Sequence, residues 1–120
     1  MKDSRKTDTG TADLIVELRK GAHTNKAPIW KDIAMRLEKP NRSWAEVNVG
    51  KLPDVASKGE TVIIPGKLLG TGNIDIPLTV AAVRCSGTAR AKVEAAGGKV
   101  LTVRQLFKAN PKGSKIRIIA

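Results

Sequence analysis

The stretch Thr61–Gly98, TVIIPGKLLGTGNIDIPLTVAAVRCSGTARAKVEAAGG, holds the densest apolar runs, two glycine turns and a clean helix pattern. Thr61–Ile64 is a short, β-branched apolar run, and Pro65-Gly66 breaks it. After Lys67-Leu68-Leu69, the segment Gly70-Thr71-Gly72-Asn73 has turn chemistry. Leu78–Cys85 is a second apolar run, rich in Val and Ala. Ser86 can cap a helix whose apolar face is Ala89, Val93 and Ala96. Gly97-Gly98 stops that helix. Strand, turn, strand and helix in this order describe an α/β unit that buries one face of a sheet under a helix.

The flanks supply further elements. Residues 1–10 are polar and carry Lys2, Arg5 and Lys6, which reads as a flexible basic arm. Residues 11–40 read as a helical segment. Its first helix is Thr11–Lys20, with Asp13 in the first turn, Arg19-Lys20 in the last and Gly21 after it. Gly21–Ala27 is a loop containing His23. Pro28 fits the first position of a second helix, reaching about Lys39, with Ile29 or Trp30, then Ile33 and Leu37 inside. Residues 41–120 form the α/β core. Glu46–Val49 alternates like a half-buried strand, Pro53–Gly59 is a loop or short turn, and Lys99–Leu101 is a short strand. Thr102 and Gln105 have capping-box spacing, and Leu101 with Leu106 has staple spacing, so a helix starts at Val103. It ends before Asn110-Pro111. A basic turn, Pro111–Lys115, then leads to a last strand, Ile116–Ile119.

At 120 residues the chain is one domain. Its 22 basic against 11 acidic residues give +11, a self-repulsion that a polyanionic partner would relieve. Residues 1–60 carry +3 (12 basic, 9 acidic) and residues 61–120 carry +8 (10 basic, 2 acidic). Trp30, Trp44 and Phe107 are the whole aromatic inventory, too few for a base-stacking platform. Phosphate contacts are the alternative. No apolar run has the length of a membrane span, and the amino-terminal residues are unlike a signal peptide.

Catalysis finds little material. The one histidine, His23, sits far in sequence from Cys85-Ser86, which opens a helix and reads as packing beside an N-cap. A metal site would need clustered ligands that the chain lacks. Gly66-Lys67 has neither the second glycine nor the following Ser or Thr of a phosphate loop. The chain therefore reads as a non-enzyme without cofactor or small-molecule substrate. Cations at loops and element ends are the better lead, because protruding side chains meet backbone phosphates. The candidate RNA-binding residues are Lys2, Arg5, Lys6, Lys26, Arg42, Lys51, Lys67, Lys112 and Lys115.

Two stretches carry a resemblance. One is Lys67-Leu68-Leu69-Gly70 with Gly72, Ile74, Leu78, Val80, Cys85-Ser86, Ala89, Val93 and Gly97. The other is Val47-Asn48-Val49-Gly50-Lys51-Leu52. In this register the chain resembles the large-subunit ribosomal protein family numbered eighteen in archaea and eukaryotes, kin to bacterial large-subunit ribosomal protein fifteen. Its compact length is similar to the archaeal type. The resemblance implies an irregular superhelix of strand-strand-helix turns behind an amino-terminal helical segment. It also implies a structural role in translation, in the cytoplasm on the ribosome. The partners would be large-subunit ribosomal RNA and neighbouring large-subunit ribosomal proteins, with no membrane. The other reading of so basic a chain is a DNA-packaging protein.

Overall fold

The computed structural model describes residues 2–40 and 44–119, with side chains from residue 12 onward. Helices α1 (Lys2–Thr24) and α2 (Pro28–Leu37) come first. Then follow β1 (Ala45–Asn48), one 3-10 turn (Val49–Lys51) and the short α3 (Leu52–Val55). The rest is β2 (Thr61–Leu69), β3 (Thr79–Cys85), α4 (Gly87–Ala95), β4 (Lys99–Thr102), α5 (Val103–Ala109) and β5 (Ile116–Ile118). The class is the expected α/β with an amino-terminal helical segment. All pairings among the described strands are parallel. Each connection therefore returns the chain to the end where strands begin, and the path coils through the molecule.

β2 is the hub. β3 lies along one of its edges, followed by β4. The other edge is shared: β5 pairs with Thr61–Ile63 and β1 with Gly66–Leu69. Pro65 falls between these two partners, where the β2–β3 register also shifts. A proline has no amide to give a ladder, and a central strand can hold one only at such an irregularity. The expected break at Pro65-Gly66 is thus not a turn, and the strand continues for nine residues. Gly66 answers to a different need. A β-carbon there would collide with the Ala45 carbonyl oxygen on β1.

The sheet is buried on both faces, not on one as its sequence suggested. Val62, Ile64 and Leu68 pack with Val80, Ala82 and the α4 residues Ala89 and Val93. Ile63 and Ala81 point the other way, into Leu14 and Leu18 of α1, Trp30 and Ile33 of α2, and Val103 and Leu106 of α5. The apolar run occupies both parities of the strand, as a doubly covered parallel strand requires. Each fully buried valine, leucine or isoleucine among them contributes roughly 1.5–3 kcal/mol of transfer free energy.

The leading helix is longer than its breakers imply. It starts at Lys2 rather than Thr11, so the residues read as an arm continue it, and it runs past Gly21. An interior glycine costs only about 1 kcal/mol, less than packing returns. Gly21 continues the buried stripe of Leu14 and Leu18, and a β-carbon there would meet the Phe107 ring. His23 accordingly lies in the last turn of α1, not in a loop. In α2 Trp30 is the fully buried choice and Ile29 is half-buried. Trp30 meets Phe107 edge-on, with centroids 5.2 Å apart.

The caps follow the sequence closely. Ser86 Oγ accepts from the Ala89 amide at 3.1 Å. Thr102 and Gln105 close a reciprocal capping box at the start of α5. Gly97 takes φ +90° after α4, where its amide donates to Glu94 and the Gly98 amide donates to Val93. Gly66→Ala tests the strand junction. It should destabilise the protein by about 2–3 kcal/mol, because backbone rather than a mobile side chain must move. Urea unfolding measures this, and a change under about 0.5 kcal/mol would contradict the tight β1–β2 approach.

Candidate nucleic-acid interface

The charges sort by residue type. Ion pairs among the described residues include Arg19–Glu38, Arg36–Asp32, Lys67–Glu46, Arg90–Glu94, Arg104–Glu17 and Arg117–Glu60. Five of these six cations are arginines, whose planar guanidinium suits a carboxylate. The Ser57 amide, and then the Arg117 guanidinium, hold the Glu60 carboxyl below the usual carboxylate range, which keeps that pair charged. Lys92 is also engaged, donating to the Gly70 and Gly72 carbonyl oxygens at 2.7 and 2.6 Å. Among the described residues Lys26, Lys31, Lys58, Lys99, Lys112 and Lys115 hold no ion pair.

Parallel strands gather these lysines. Thr61, Thr79, Lys99 and Ile116 stand level with one another where the strands begin. Lys58 and Lys115 line one side groove there, about 700 Å³, with Arg117 and Thr61. Gly59 belongs to that groove and to a neighbouring one of about 330 Å³, which Lys99 and Gly97 also line. The turn Pro111–Lys115 joins this end to the helices. Trp30 Nε1 donates to the Pro111 carbonyl at 2.8 Å, and Gly113 lies against Ile29. Just before Ile29, the α1–α2 corner forms a further groove of about 590 Å³ between Arg19, His23, Lys26 and Lys31. One end of the molecule thus carries Lys26, Lys31, Lys58, Lys99, Lys112 and Lys115.

Three residues singled out from the sequence, Lys26, Lys112 and Lys115, meet at this end. Lys51 and Lys67 do not. Lys51 is exposed beyond the end of β1, at the opposite side of the sheet. Lys67 does not project from between two breaks as its flanking glycines suggested. It lies within β2 beside its cross-strand partner Glu46, with Nζ 3.7 Å from the carboxylate. Arg42 lies outside the described residues, as do the side chains of Lys2, Arg5 and Lys6. Lys31, Lys58 and Lys99 were missed. Lys58 and Lys99 stand where strands start, and reading the sheet as parallel would have brought them together.

Among the described residues His23 and Cys85-Ser86 are not brought together as base and nucleophile. His23 is near the strand-start end through the α1–α2 corner, whereas Cys85-Ser86 close β3 at the other end. Cys85 is half-buried, not fully buried, and its Sγ lies 3.4 Å from the Ser86 carbonyl oxygen. Burial pushes its thiol above the ordinary value, against a smaller opposing pull from Arg90. Among the described residues no group of three His, Cys, Asp or Glu side chains could hold a metal, and no helix is long and apolar enough to cross a membrane.

Residues 46–101 match the model of the family described as ribosomal proteins 50S-L15, 50S-L18e and 60S-L27A. The chain is 48% identical to the large ribosomal subunit protein eL18 of Methanococcus maripaludis, over the full length of both. It is 53% identical to that of Methanopyrus kandleri, over 94% of this chain and 93% of the other. With that of Haloarcula marismortui it shares 42%, over 95% and 97%. The chain belongs to this ribosomal protein family. The matched span of this family member runs from β1 to β4. The helices α1 and α2, which contribute Lys26 and Lys31 to the cationic end, lie before it.

The thiol of this family member gives a test of the non-catalytic reading. With its pKa raised, Cys85 should react with iodoacetamide more slowly than free cysteine at about pH 8. Faster alkylation would reveal an activated thiol and reopen the question of catalysis.

Proposed function

We propose that this chain is a structural constituent of the large ribosomal subunit and binds large-subunit ribosomal RNA through backbone phosphates. The observation that carries the reading is the convergence of lysines at one end of a parallel sheet, in a chain that shares its family with large-subunit proteins. Lysine is a compact, mobile, strongly hydrated cation, which suits phosphate contact without base readout. With two buried tryptophans and one half-buried phenylalanine, the aromatic rings are committed to packing.

The mechanism is counterion replacement. Lysines anchored on a folded frame displace the cations condensed on RNA, and little backbone entropy is lost because the strand starts are already ordered. Lys51 and Lys67 at the far side of the sheet give a second, smaller contact, so the domain bridges two RNA segments. Glu46 weakens the part of Lys67. Neighbouring large-subunit proteins are the remaining partners, and the setting is the cytoplasmic ribosome.

The test is affinity for large-subunit RNA fragments against salt. Log affinity should fall linearly with log salt, with a slope of about −0.7 per phosphate on irregular RNA, a loss of roughly a thousandfold for several contacts between low and moderate salt. An affinity that hardly changes would overturn the reading. Equal affinity for duplex DNA would favour DNA packaging instead. Lys67→Gln should leave the thermal midpoint in place and reduce the slope by less than one contact, as Glu46 competes for this lysine.

A further inference from the structure

Two residues other than glycine have positive φ among the described ones, and both are lysines: Lys26 at 53° and Lys115 at 58°. An L-residue with a β-carbon is disfavoured in this left-handed region, and glycine or asparagine is the usual occupant.

The helix ends allow an internal comparison. After α4, the Gly97 amide donates to Glu94 and the Gly98 amide to Val93. After α1, the Lys26 amide donates to His23 at 3.4 Å and the Ala27 amide to Ala22 at 3.0 Å. The two patterns are the same 5→2 and 6→1 closure, with the left-handed residue in the same place. One helix uses glycine there and the other uses lysine. Lys115 likewise follows a turn already closed by Asn110, whose side chain bonds to both the amide and the carbonyl of Ser114. Neither lysine side chain holds an ion pair or hydrogen bond within the described structure. The strain is therefore not offset by a contact of the side chain itself.

Position ties the two together. Gly113 rests on Ile29, so the turn bearing Lys115 and the corner bearing Lys26 are adjacent parts of the cationic end. Lys26 lines the groove at the α1–α2 corner and Lys115 lines the groove at the start of β2 and β5. Strained residues gather where function holds them.

We propose that Lys26 and Lys115 are phosphate ligands of a single RNA strand crossing this end. Their left-handed backbone is a stability cost retained because it projects each ammonium into its groove. The proposal deepens the RNA-phosphate reading above and rests on it. It assigns a stretch of RNA backbone, spanning the turn Pro111–Lys115, to the surface between two grooves. Helix-dipole compensation at the end of α1 is the competing account for Lys26, and it makes the opposite prediction for stability.

The experiment pairs two substitutions at each site, in the full chain, with a large-subunit RNA fragment as probe. Lys26→Asn and Lys115→Asn remove the charge and relieve the backbone. Lys26→Gln and Lys115→Gln remove the charge and keep the strain. The Asn variants should raise the thermal midpoint by about 2–6 degrees, the shift expected in a domain this size when one strained residue is relieved. The Gln variants should leave the midpoint in place. All four should weaken binding and flatten the salt slope by about one contact. Arginine at each position should keep the slope. If wild-type binding is steeply salt-dependent while the Asn and Gln variants bind equally well, this assignment fails and the general reading stands. If wild-type binding does not depend on salt, the general reading fails, and this proposal with it. A lower midpoint in the Asn variants would mean that the lysines serve the fold, which also overturns the proposal.

Discussion

A strand hydrogen-bonded to parallel neighbours along both edges has no side left for water, and β2 is such a strand. Its nine residues meet β3 on one edge and both β5 and β1 on the other. Its side chains must then enter two separate cores, Val62, Ile64 and Leu68 in one and Ile63 in the other. The helices are distributed accordingly, α4 on the first face and α1, α2 and α5 on the second. Pro65-Gly66 is what allows one strand to serve two partners on a single edge. Pro65 sits where no ladder bond is needed, and Gly66 lets β1 come close enough to take over from β5.

The same topology arranges the charge. Parallel pairing puts the starts of β2, β3, β4 and β5 at one end, so cations near those starts become neighbours without any sequence proximity. Lys58, Lys99 and Lys115 are brought together in this way. Among the described arginines all but Arg84 are drawn off into pairs, with Arg104–Glu17 joining α5 to α1 and Arg117–Glu60 joining β5 to the residue before β2. Exposed pairs of this kind add little stability, at most about 1 kcal/mol each. Two of them, Arg19–Glu38 and Arg117–Glu60, border the grooves of the cationic end, where the neighbouring lysines hold no such partner.

Local chemistry was the legible part of the fold. Ser86, Thr102 with Gln105, Pro28 and Gly97 each marked a boundary that the structure has, because a cap is decided within four residues. Glycines with long-range causes were misread. Gly66 looked like a turn and is a close approach to β1, and Gly21 looked like a helix stop and is a close approach to Phe107. In both cases the reason lies on an element distant in sequence. For the candidate site, the turn at Lys112 and Lys115 and the corner at Lys26 were visible as basic loops. That they share one end was not, because this depends on Trp30 reaching Pro111 and Gly113 resting on Ile29.

Both tryptophans act as pegs between segments, which explains why so few aromatics suffice. Trp30 ties α2 to the basic turn through its indole nitrogen. Trp44 uses its own to reach the Leu37 and Lys39 carbonyls at 3.3 and 3.0 Å, closing the end of α2. Each ring is buried while its one donor is satisfied, so neither leaves an unpaired polar group inside. The Trp30 bond has a further effect. It fixes the height of the turn Pro111–Lys115 over the sheet, and so the place of Lys112 and Lys115 relative to Lys26. The cationic end is therefore held by a buried, neutral contact rather than by its own charges, which repel one another. A surface built of like charges needs such a tie, because the free protein must keep them together before any polyanion arrives to neutralise them.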